Sequence, residues 1–566
     1  MFTQQINWMK ASILLLLIPW MVLLPLGAQA QSTAPTDGDL AEQLDAMLAA
    51  VFPDDGPGAA VLVLRDGEII LRRGYGLANV ELSVPMAPEM VFRLGSVAKQ
   101  FTAMAILMLV EEGKLALDDD ITAYLPDYPT QGQTITIEHL LTHTGGVKDL
   151  EFLPARLAVE RNDLSVEELI ALFKDEPLDF APGTAWSYSN SGYILLGAII
   201  EQASGMSYAD FVQQRIFTPL GMIHSYYDDP TQLMPGRVAG YTQTGDGYAN
   251  AASMSMTQPY AAGALASSVD DLAKWDAALY TSKLVKQSTL RRMFKSVVLT
   301  NGQTPGYGYG WGVGTYAGEP IQDHNGGING FYTVVMRLPA DKVYIAILSN
   351  LENPAVAPDE LAFDIATRVI GKPYQDPEAI TLPATTLASY EGVYLVNGQG
   401  GVVIRQEADH LLWQTGGPAR VLMPLASDEF FIAGVPLRIR FMKDRAGSVT
   451  SMQLQQRFSL WIDLPKSDQP LPPTAATVEI NPALYDQYVG DYQLGPGLAL
   501  TISVVDGTLF AQATGEAPLE LAAAAEDSFF LPGLDVQIEF TRDTEGAVTG
   551  LVLQQRGQTM TGEKVQ

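Results

Sequence analysis

The period of the hydrophobic positions changes several times along this chain, and each change predicts an element. Residues 59–64 form an apolar run, the turn Arg65-Asp66-Gly67 follows, and residues 68–73 resume the strand. Two such runs around a tight turn predict a pair of antiparallel strands. From residue 96 to residue 115 the apolar residues recur at helical spacing, which predicts a helix that begins at Ser96.

Strand signals return only after a long helical section. In that section Ser165 and Glu168 form a capping box at the start of a short helix. Other helices are predicted over 192–203, 268–279 and 360–370, and strands over 306–313, 332–338 and 343–349. Strands at both ends with helices between them predict an α/β fold over residues 38–372, in which an antiparallel sheet is flanked by helices and accompanied by a helical subdomain.

A change of composition near Pro373 predicts a linker over residues 373–383 and a different architecture beyond it. Two segments there repeat each other: Tyr390-Glu391-Gly392 corresponds to Tyr488-Val489-Gly490, and Arg440-Phe441 to Glu539-Phe540. Each copy consists of short alternating strands with Gly and Asp turns. We therefore expect two small all-β antiparallel barrels, one over residues 385–464 and one over residues 482–566.

Charge and residue inventory narrow the classes of function. The formal net charge is -30, from 34 basic and 64 acidic residues, which argues against a nucleic-acid or anionic-membrane partner. The chain has no cysteine, so disulfides and a thiol nucleophile are excluded. None of its five histidines belongs to a His-Glu-x-x-His motif, which argues against a zinc enzyme, and we expect neither a metal nor another cofactor.

Residues 1–30 have the pattern of a signal peptide. Lys10 precedes an apolar run that ends at Leu26, and Ala28-Gln29-Ala30 is a small-x-small cleavage pattern. The run is short for a membrane span and is interrupted by two prolines. We expect cleavage after Ala30, no stable membrane span in the mature chain, and a periplasmic or secreted location; an uncleaved anchor is the alternative.

The predicted helix at residue 96 opens with Ser96-Val97-Ala98-Lys99. A serine hydroxyl is a weak nucleophile until a base removes its proton, and residues three apart lie on the same face of a helix. A partly desolvated amine beside the positive end of a helix can be neutral near pH 7. Ser96 is therefore a candidate nucleophile and Lys99 its candidate base, although a Ser-x-x-Lys spacing also occurs by chance.

Two further motifs offer partners for this pair. In Tyr188-Ser189-Asn190, a nearby ammonium can lower the phenol pKa so that Tyr188 relays protons, and the Asn190 amide can hold a substrate amide. In His324-Asn325-Gly326-Gly327, we expect the histidine to orient a substrate carboxyl or carbonyl from an edge strand. Its glycines let a substrate backbone approach, and the Gly327 N–H would complete an oxyanion hole with that of Ser96.

Both of these motifs have rivals in the chain. Tyr248-Ala249-Asn250 has the same Tyr-x-Asn pattern but lies in a polar stretch, whereas the apolar helix predicted after Tyr188 would hold that residue rigidly. His143-Thr144-Gly145-Gly146 duplicates the His-x-Gly pattern. Because it lies at the end of a predicted helix, where glycines act as C-caps, we expect a structural role for His143.

The order of Ser96/Lys99, Tyr188/Asn190 and His324/Gly326 resembles that of the serine beta-lactamase-like and penicillin-binding-protein-like hydrolases. These include class C beta-lactamases, D-alanyl-D-alanine carboxypeptidases, D-aminopeptidases and beta-lactamase-like esterases, and the resemblance covers roughly residues 40–370. It implies a beta-lactamase-like fold and an acyl-enzyme on Ser96. In that mechanism Lys99 and Tyr188 share the base role, while Asn190 and His324 position the substrate.

The third motif departs from class C beta-lactamases, which have Lys-Thr-Gly where this chain has His324-Asn325-Gly326. The His-x-Gly pattern and the pair of barrels resemble the D-aminopeptidase branch. This implies an exported peptidase or amidase that cleaves small peptide or amide substrates, D-amino-acid peptides among them. The alternatives are an esterase or a beta-lactamase on the same site, and a penicillin-binding sensor that acylates slowly. The sequence leaves open the dominant base, the oligomeric state and whether a barrel reaches the site.

Overall fold

A computed structural model describes residues 37–244, 247–396, 399–414, 419–456, 461–471, 480–495, 498–505, 507–513, 518–531, 536–543, 546–555 and 558–565. The signal peptide predicted over residues 1–30, with its cleavage position, lies outside the described residues. Within the described ranges, we find no helix that combines the length and the apolar character needed to cross a membrane.

A six-stranded antiparallel sheet is the centre of the first part of the chain. Its strands are β1 (Ala59–Arg65), β2 (Glu68–Tyr75), β3 (Gly312–Tyr316), β4 (Glu319–Ile328), β5 (Phe331–Leu338) and β6 (Val343–Ser349). The spatial order is β3-β4-β5-β6-β1-β2. Pairing of Ala59 with Ser349 joins the two remote segments, as the strand pattern at both ends predicts.

Helices cover both faces of this sheet. The longer ones are α1 (Asp37–Val51), α2 (Lys99–Glu111), α3 (Asn190–Ser204), α4 (Val269–Ala278) and α5 (Pro358–Val369). Shorter helices lie at Ile137–Leu141, Pro154–Val159, Val166–Ala171, Tyr208–Val212, Thr218–Leu220, Tyr260–Gly263 and Gln287–Met293. Alternate residues of β1 divide between two cores: Val61 and Val63 pack with α1 and α5, and Ala60 and Leu62 with α2, α3 and α4.

The structure shifts three predicted boundaries. Ser96 lies in a 3-10 turn, Gly95–Ala98, and α2 proper begins at Lys99 and ends at Glu111, before Gly113 with its φ of +68°. The strand predicted over 306–313 begins only at Gly312, because Gly306 and Gly310 both have positive φ and turn the chain. Helix α1 and strand β4 are additional to the predicted elements.

Beyond residue 383 the described chain is almost entirely β-structure, in two sheets. The first contains β7 to β14, which are Gly392–Val396, Gln399–Glu407, His410–Gln414, Arg420–Pro424, Glu429–Ile432, Val435–Lys443, Val449–Gln456 and Ile462–Pro465. These eight strands pair in chain order, and a bridge between Tyr394 and Lys466 nearly closes the sheet. This confirms the first predicted antiparallel barrel.

The second sheet is also antiparallel and nearly closed. Its nine strands, β15 to β23, are Gly490–Gly495, Leu498–Val505, Thr508–Ala513, Leu519–Glu520, Ala522–Ala525, Ser528–Phe530, Val536–Arg542, Val548–Gln555 and Gln558–Val565. Its two outermost strands, β18 and β19, are neighbours in the chain. The repeat is visible in both barrels, since Tyr390 donates a hydrogen bond to Asp428 and Tyr488 donates one to Asp527.

Candidate active site

Two glycines bring the turn that carries Ser96 against strand β4. Gly95 has a φ of +52°, and a Cβ there would lie 3.0 Å from the carbonyl oxygen of Gly327. A Cβ on Gly326 would lie 2.0 Å from the carbonyl oxygen of Leu94 and 2.9 Å from the Ser96 nitrogen. Only residues without a side chain permit this approach, which places Ser96 beside the His324-to-Gly327 segment.

Lys99 is completely buried, and its nitrogen faces three oxygen atoms. Nζ lies 3.1 Å from Ser96 Oγ, 2.7 Å from Asn190 Oδ1 and 2.9 Å from the carbonyl oxygen of Ala262. Burial lowers the pKa of Lys99 to about 7, although the negative charges of Asp149 and Glu151 raise it. A neutral amine has two N–H groups for the two carbonyl-type oxygens, which leaves its lone pair for the Ser96 hydroxyl.

Tyr188 closes the group over Lys99. Its ring centroid lies 4.8 Å from Lys99 Nζ. The nearby Ser96 side chain lowers the pKa of the Tyr188 hydroxyl, although that hydroxyl makes no hydrogen bond of standard geometry. Burial raises the pKa of Tyr188 well above its ordinary value. This is opposite to the lowered phenol pKa expected from the sequence, because desolvation outweighs the lowering effect of the Ser96 hydroxyl. At neutral pH Tyr188 is a phenol that can donate a proton.

Of the two rival motifs, the one at His143 packs against Tyr188 and the one at Tyr248 lies outside the site. The His143 ring packs against the Tyr188 ring, with centroids 4.3 Å apart and planes tilted by 38°, and its Nδ1 accepts the Ser189 N–H at 3.1 Å. Burial holds the pKa of His143 well below its usual value, so the ring is neutral where it packs against Tyr188. Tyr248 is 42% exposed and packs beside Gly56, and it takes no part in the Ser96 group.

His324 lies on β4, close to Tyr188 but not on an edge. Strands β3 and β5 pair with β4 on its two sides, which corrects the expected edge-strand position. The ring Nδ1 lies 2.6 Å from the carbonyl oxygen of Asn325, and Nε2 lies 2.8 Å from the Tyr307 hydroxyl. A carbonyl oxygen only accepts, so Nδ1 carries the proton, and in the neutral ring Nε2 accepts from Tyr307. His324 thus has one face toward Tyr188, with ring centroids 6.2 Å apart.

The two predicted glycines differ in their surroundings. A Cβ on Gly327 would meet nothing within 4 Å, and Gly327 lines a cavity of about 220 Å³ together with Ser96 and Asn190. Gly326 instead packs against the turn that carries Ser96. The structure therefore brings Ser96, Lys99, Tyr188, Asn190, His324, Gly326 and Gly327 together, with Gly327 on the cavity side.

The same cavity has polar lining residues that the sequence did not suggest. Glu151 forms an ion pair with Arg156 at 3.2 Å, and Arg156 also faces Glu160 at 3.4 Å. Gln258 is 2% exposed, and its Nε2 donates to the carbonyl oxygens of Val159 and Asn162. Two carbonyl partners fix which end of the amide is the donor, so Oε1 is an acceptor with no partner in the structure as described.

A second cavity, also of about 220 Å³, lies on the Tyr188 and His324 side. Its lining includes Trp186, Tyr188, Tyr307, His324 and, from strand β14 of the first barrel, Ile462. A residue of the first barrel thus contributes to the wall beside the site. Across the described ranges, we find no group of acidic, histidine or cysteine side chains that could hold a metal ion.

Comparison with known proteins gives the family context. A family model described as Beta-lactamase matches residues 46–368, and one described as a domain of unknown function (DUF3471) matches residues 474–564. Penicillin-binding protein 4* of Bacillus subtilis (strain 168) is 29% identical over 413 residues, covering 67% of this chain and 89% of that protein. The D-aminopeptidase of Gluconobacter oxydans (strain 621H) is 30% identical over 358 residues, covering 62% of this chain and 65% of that protein.

Among solved structures, the octameric penicillin-binding protein homologue from Pyrococcus abyssi is similar over 75% of this chain and 99% of its own. The TM-score is 0.54 and the sequence identity is 27%. Because the first family match covers more than half of the chain and coincides with the sheet, its helices and the Ser96 group, this protein belongs to the beta-lactamase family of serine hydrolases.

Proposed function

We propose that this protein is an exported serine amidase or peptidase that cleaves small peptides and amides, D-amino-acid peptides among them, through an acyl-enzyme on Ser96. The observation that carries the proposal is the set of three oxygen neighbours around Lys99 Nζ. Two of them fix the N–H groups of a neutral amine and the third is the Ser96 hydroxyl. The exported location rests on the signal-peptide pattern of residues 1–30.

The proposed reaction begins when Ser96 Oγ attacks the substrate carbonyl and Lys99 Nζ takes its proton. The C–O bond forms as the carbonyl π electrons move to oxygen, where the N–H groups of Ser96 and Gly327 stabilise the oxyanion. The C–N bond then breaks, and the leaving amine receives a proton from Tyr188, which regains one from the Lys99 ammonium. Water then attacks the acyl-enzyme and gives a proton to Lys99; the acyl C–O bond to Ser96 breaks, Oγ takes that proton from Lys99, and the acid is released.

The cavity chemistry supports an amide substrate with a free amino group. Glu151 contributes a carboxylate to the cavity wall, and Gln258 contributes an acceptor with no partner in the described structure. The Gln258 oxygen matches a hydrogen of an α-ammonium group, and the Glu151 carboxylate, which also pairs with Arg156, matches its charge. The 30% identical D-aminopeptidase relative supports the same class of substrate, and His324 in place of a lysine supports amide over beta-lactam cleavage.

The test combines a variant, a covalent probe and a substrate panel. We expect Ser96→Ala to lower turnover by at least about a thousandfold and to abolish labelling by a fluorophosphonate, because the nucleophile is gone. Ser282→Ala is the matched control, since this exposed serine lies in a bend between α4 and the helix at Gln287–Met293 and does not line the cavity. Labelling or turnover that survives in Ser96→Ala contradicts the proposal.

The panel contains D- and L-amino-acid amides with free or acetylated amino groups, p-nitrophenyl esters and a penicillin. We expect free-amine amides to exceed their acetylated forms by about tenfold or more in kcat/KM, the factor of one well-placed charged hydrogen bond. Cleavage of esters alone would assign an esterase. Stoichiometric acylation without turnover would assign a penicillin-binding sensor, and either result overturns the amidase proposal.

A further inference from the structure

Asp149 is a buried carboxylate that the proposed reaction does not use. Asp149 is only 7% exposed, and an ionised carboxylate in such surroundings is destabilising unless hydrogen bonds satisfy it. Oδ1 accepts the backbone N–H of Asn190 at 3.2 Å and that of Glu151 at 3.4 Å. Oδ2 accepts from the side-chain Nδ2 of Asn190 at 3.3 Å. The carboxylate therefore holds both the first residue of α3 and its amide.

The Asn190 amide links Asp149 to Lys99, and its two ends are not interchangeable. Nδ2 faces the carboxylate of Asp149, which can only accept, and Oδ1 lies 2.7 Å from Lys99 Nζ. A flipped amide would set oxygen against carboxylate and an N–H donor against the donors of Lys99. The ionised carboxylate thus selects the orientation in which Asn190 accepts from Lys99.

We propose that Asp149 is a positioning residue that fixes the Asn190 amide and, through it, directs the Lys99 lone pair toward Ser96. The inference rests on the proposed function, because it needs Lys99 to act as the base. With the Asn190 and Ala262 oxygens holding the two N–H groups, the lone pair has one direction left, toward Oγ. Release of Asn190 frees one N–H group, and the amine then rotates away from Ser96.

Asp149 also contributes charge to the surroundings of Lys99. The titratable groups around Lys99 are Asp149, Glu151, His143, Tyr188 and Tyr193. Of these, the carboxylates of Asp149 and Glu151 raise the pKa of Lys99 against the larger effect of burial. Burial raises the pKa of Asp149 itself to about 6, so it is ionised at neutral pH, where Lys99 becomes a neutral base. Loss of the Asp149 charge lowers the pKa of Lys99 further.

The experiment measures the rate of fluorophosphonate labelling of the full chain against pH for wild type, Asp149→Asn and Asp149→Ser. We expect labelling to slow by between about tenfold and a hundredfold, the usual penalty for a misplaced reacting group. The midpoint of the acid limb should move to lower pH in both variants, which a purely structural role would not cause. Asp149→Ser keeps a hydroxyl acceptor for the backbone N–H of Glu151, so the cap of the 3-10 turn Leu150–Phe152 is preserved, and the start of α3 keeps its own cap, Ser189.

A double-mutant cycle separates positioning from other effects. If Asp149 acts through Asn190, Asp149→Ser should slow labelling in the wild-type background but cause less than about a twofold further loss in Asn190→Ala. Asp179→Asn is the control, because this carboxylate pairs with Lys148 at the surface and does not contact Asn190. Additive losses, or an acid limb that does not move, overturn the inference. A wild-type chain that the probe does not label overturns the proposed function instead.

Discussion

Lys99 Nζ carries three hydrogens as an ammonium and two as a neutral amine. Only the neutral amine has a lone pair that can take the proton of Ser96. As an ammonium it donates to Ser96 Oγ, Asn190 Oδ1 and the Ala262 oxygen at once, which holds the serine but leaves nothing to take its proton. As an amine it keeps the last two donations and turns its lone pair to Ser96. Reactivity is therefore controlled by one proton.

The pH dependence of acylation follows from that proton. Burial lowers the pKa of Lys99 from 10.5 to about 7 in the folded protein. Below this value Lys99 is protonated and Ser96 is unreactive, so we expect the rate of fluorophosphonate labelling to rise through a midpoint near pH 7 and to level off above pH 8. Labelling reactions quenched at successive times, at pH values from about 5 to about 10, measure this rise in rate. A midpoint near the ordinary lysine value would contradict the assignment of Lys99 as the base.

Local spacing explains which site residues the sequence could reveal. Ser96 and Lys99 are three residues apart, so one turn of chain determines their contact. Lys99 and Asn190 are 91 positions apart, and their motifs could be listed but not joined without the fold. Asp149 belongs to no motif, and its role depends on a tertiary contact. The direction of the Tyr188 pKa shift depends on complete burial, which no sequence pattern around Tyr188 expresses.

At the scale of elements, the contact between the Ser96 turn and β4 depends on a missing side chain. Gly326 lies opposite Thr333 in the pairing of β4 with β5, and its Cα faces the backbone of Leu94 and Ser96. A substituent there would meet backbone atoms, which cannot rotate away. The position of the nucleophile against the sheet is thus set by sheet packing as much as by the helix that follows it.

Replacing Gly326 with alanine tests this contact. The added Cβ would lie 2.0 Å from the Leu94 oxygen, so the turn and the strand must separate. We expect Gly326→Ala to lower the free energy of unfolding by about 1–3 kcal/mol, as overpacking does, and to slow labelling of Ser96. Denaturant unfolding measures the first effect. Gly327→Ala is the comparison for stability, since its Cβ meets nothing within 4 Å; equal destabilisation by both variants would contradict the packing argument.

The sequence pattern predicts some strands and helices more clearly than others. Strands β1, β5 and β6 are apolar, a tight turn joins β1 to β2, and the capping box at Ser165 is present as predicted. Strand β4 has few apolar residues because glycines and polar groups occupy its site end, so its strand character comes from pairing with β3 and β5. Helix α1 has a helical pattern in the sequence, since Leu40, Leu44 and Leu48 are four residues apart, and all three are buried.

At the scale of the whole molecule, the sequence repeat was sufficient to predict two barrels but not what they contact. Repeats report internal similarity, and they carry no information about a surface shared with another part of the chain. The structure supplies that information at one point, because Ile462 of β14 lines the cavity beside Tyr188 and His324. The first barrel therefore contributes an apolar side chain to a cavity whose other walls contain aromatic, aliphatic and polar residues of the family domain.

Replacing Ile462 with aspartate tests whether the first barrel takes part in substrate binding. The aspartate would put a charge into a wall formed by Trp186, Tyr188 and Tyr307, so apolar substrate groups would lose their contact there. We expect KM for amides with apolar groups to rise by about tenfold, equivalent to ~1.4 kcal/mol, while kcat changes less because Ser96, Lys99 and Asn190 do not line this cavity. Val421→Asp is the matched control, since Val421 is 42% exposed on another strand of the same barrel. Equal kinetics in both variants would show that the barrel borders this cavity without contributing to substrate affinity.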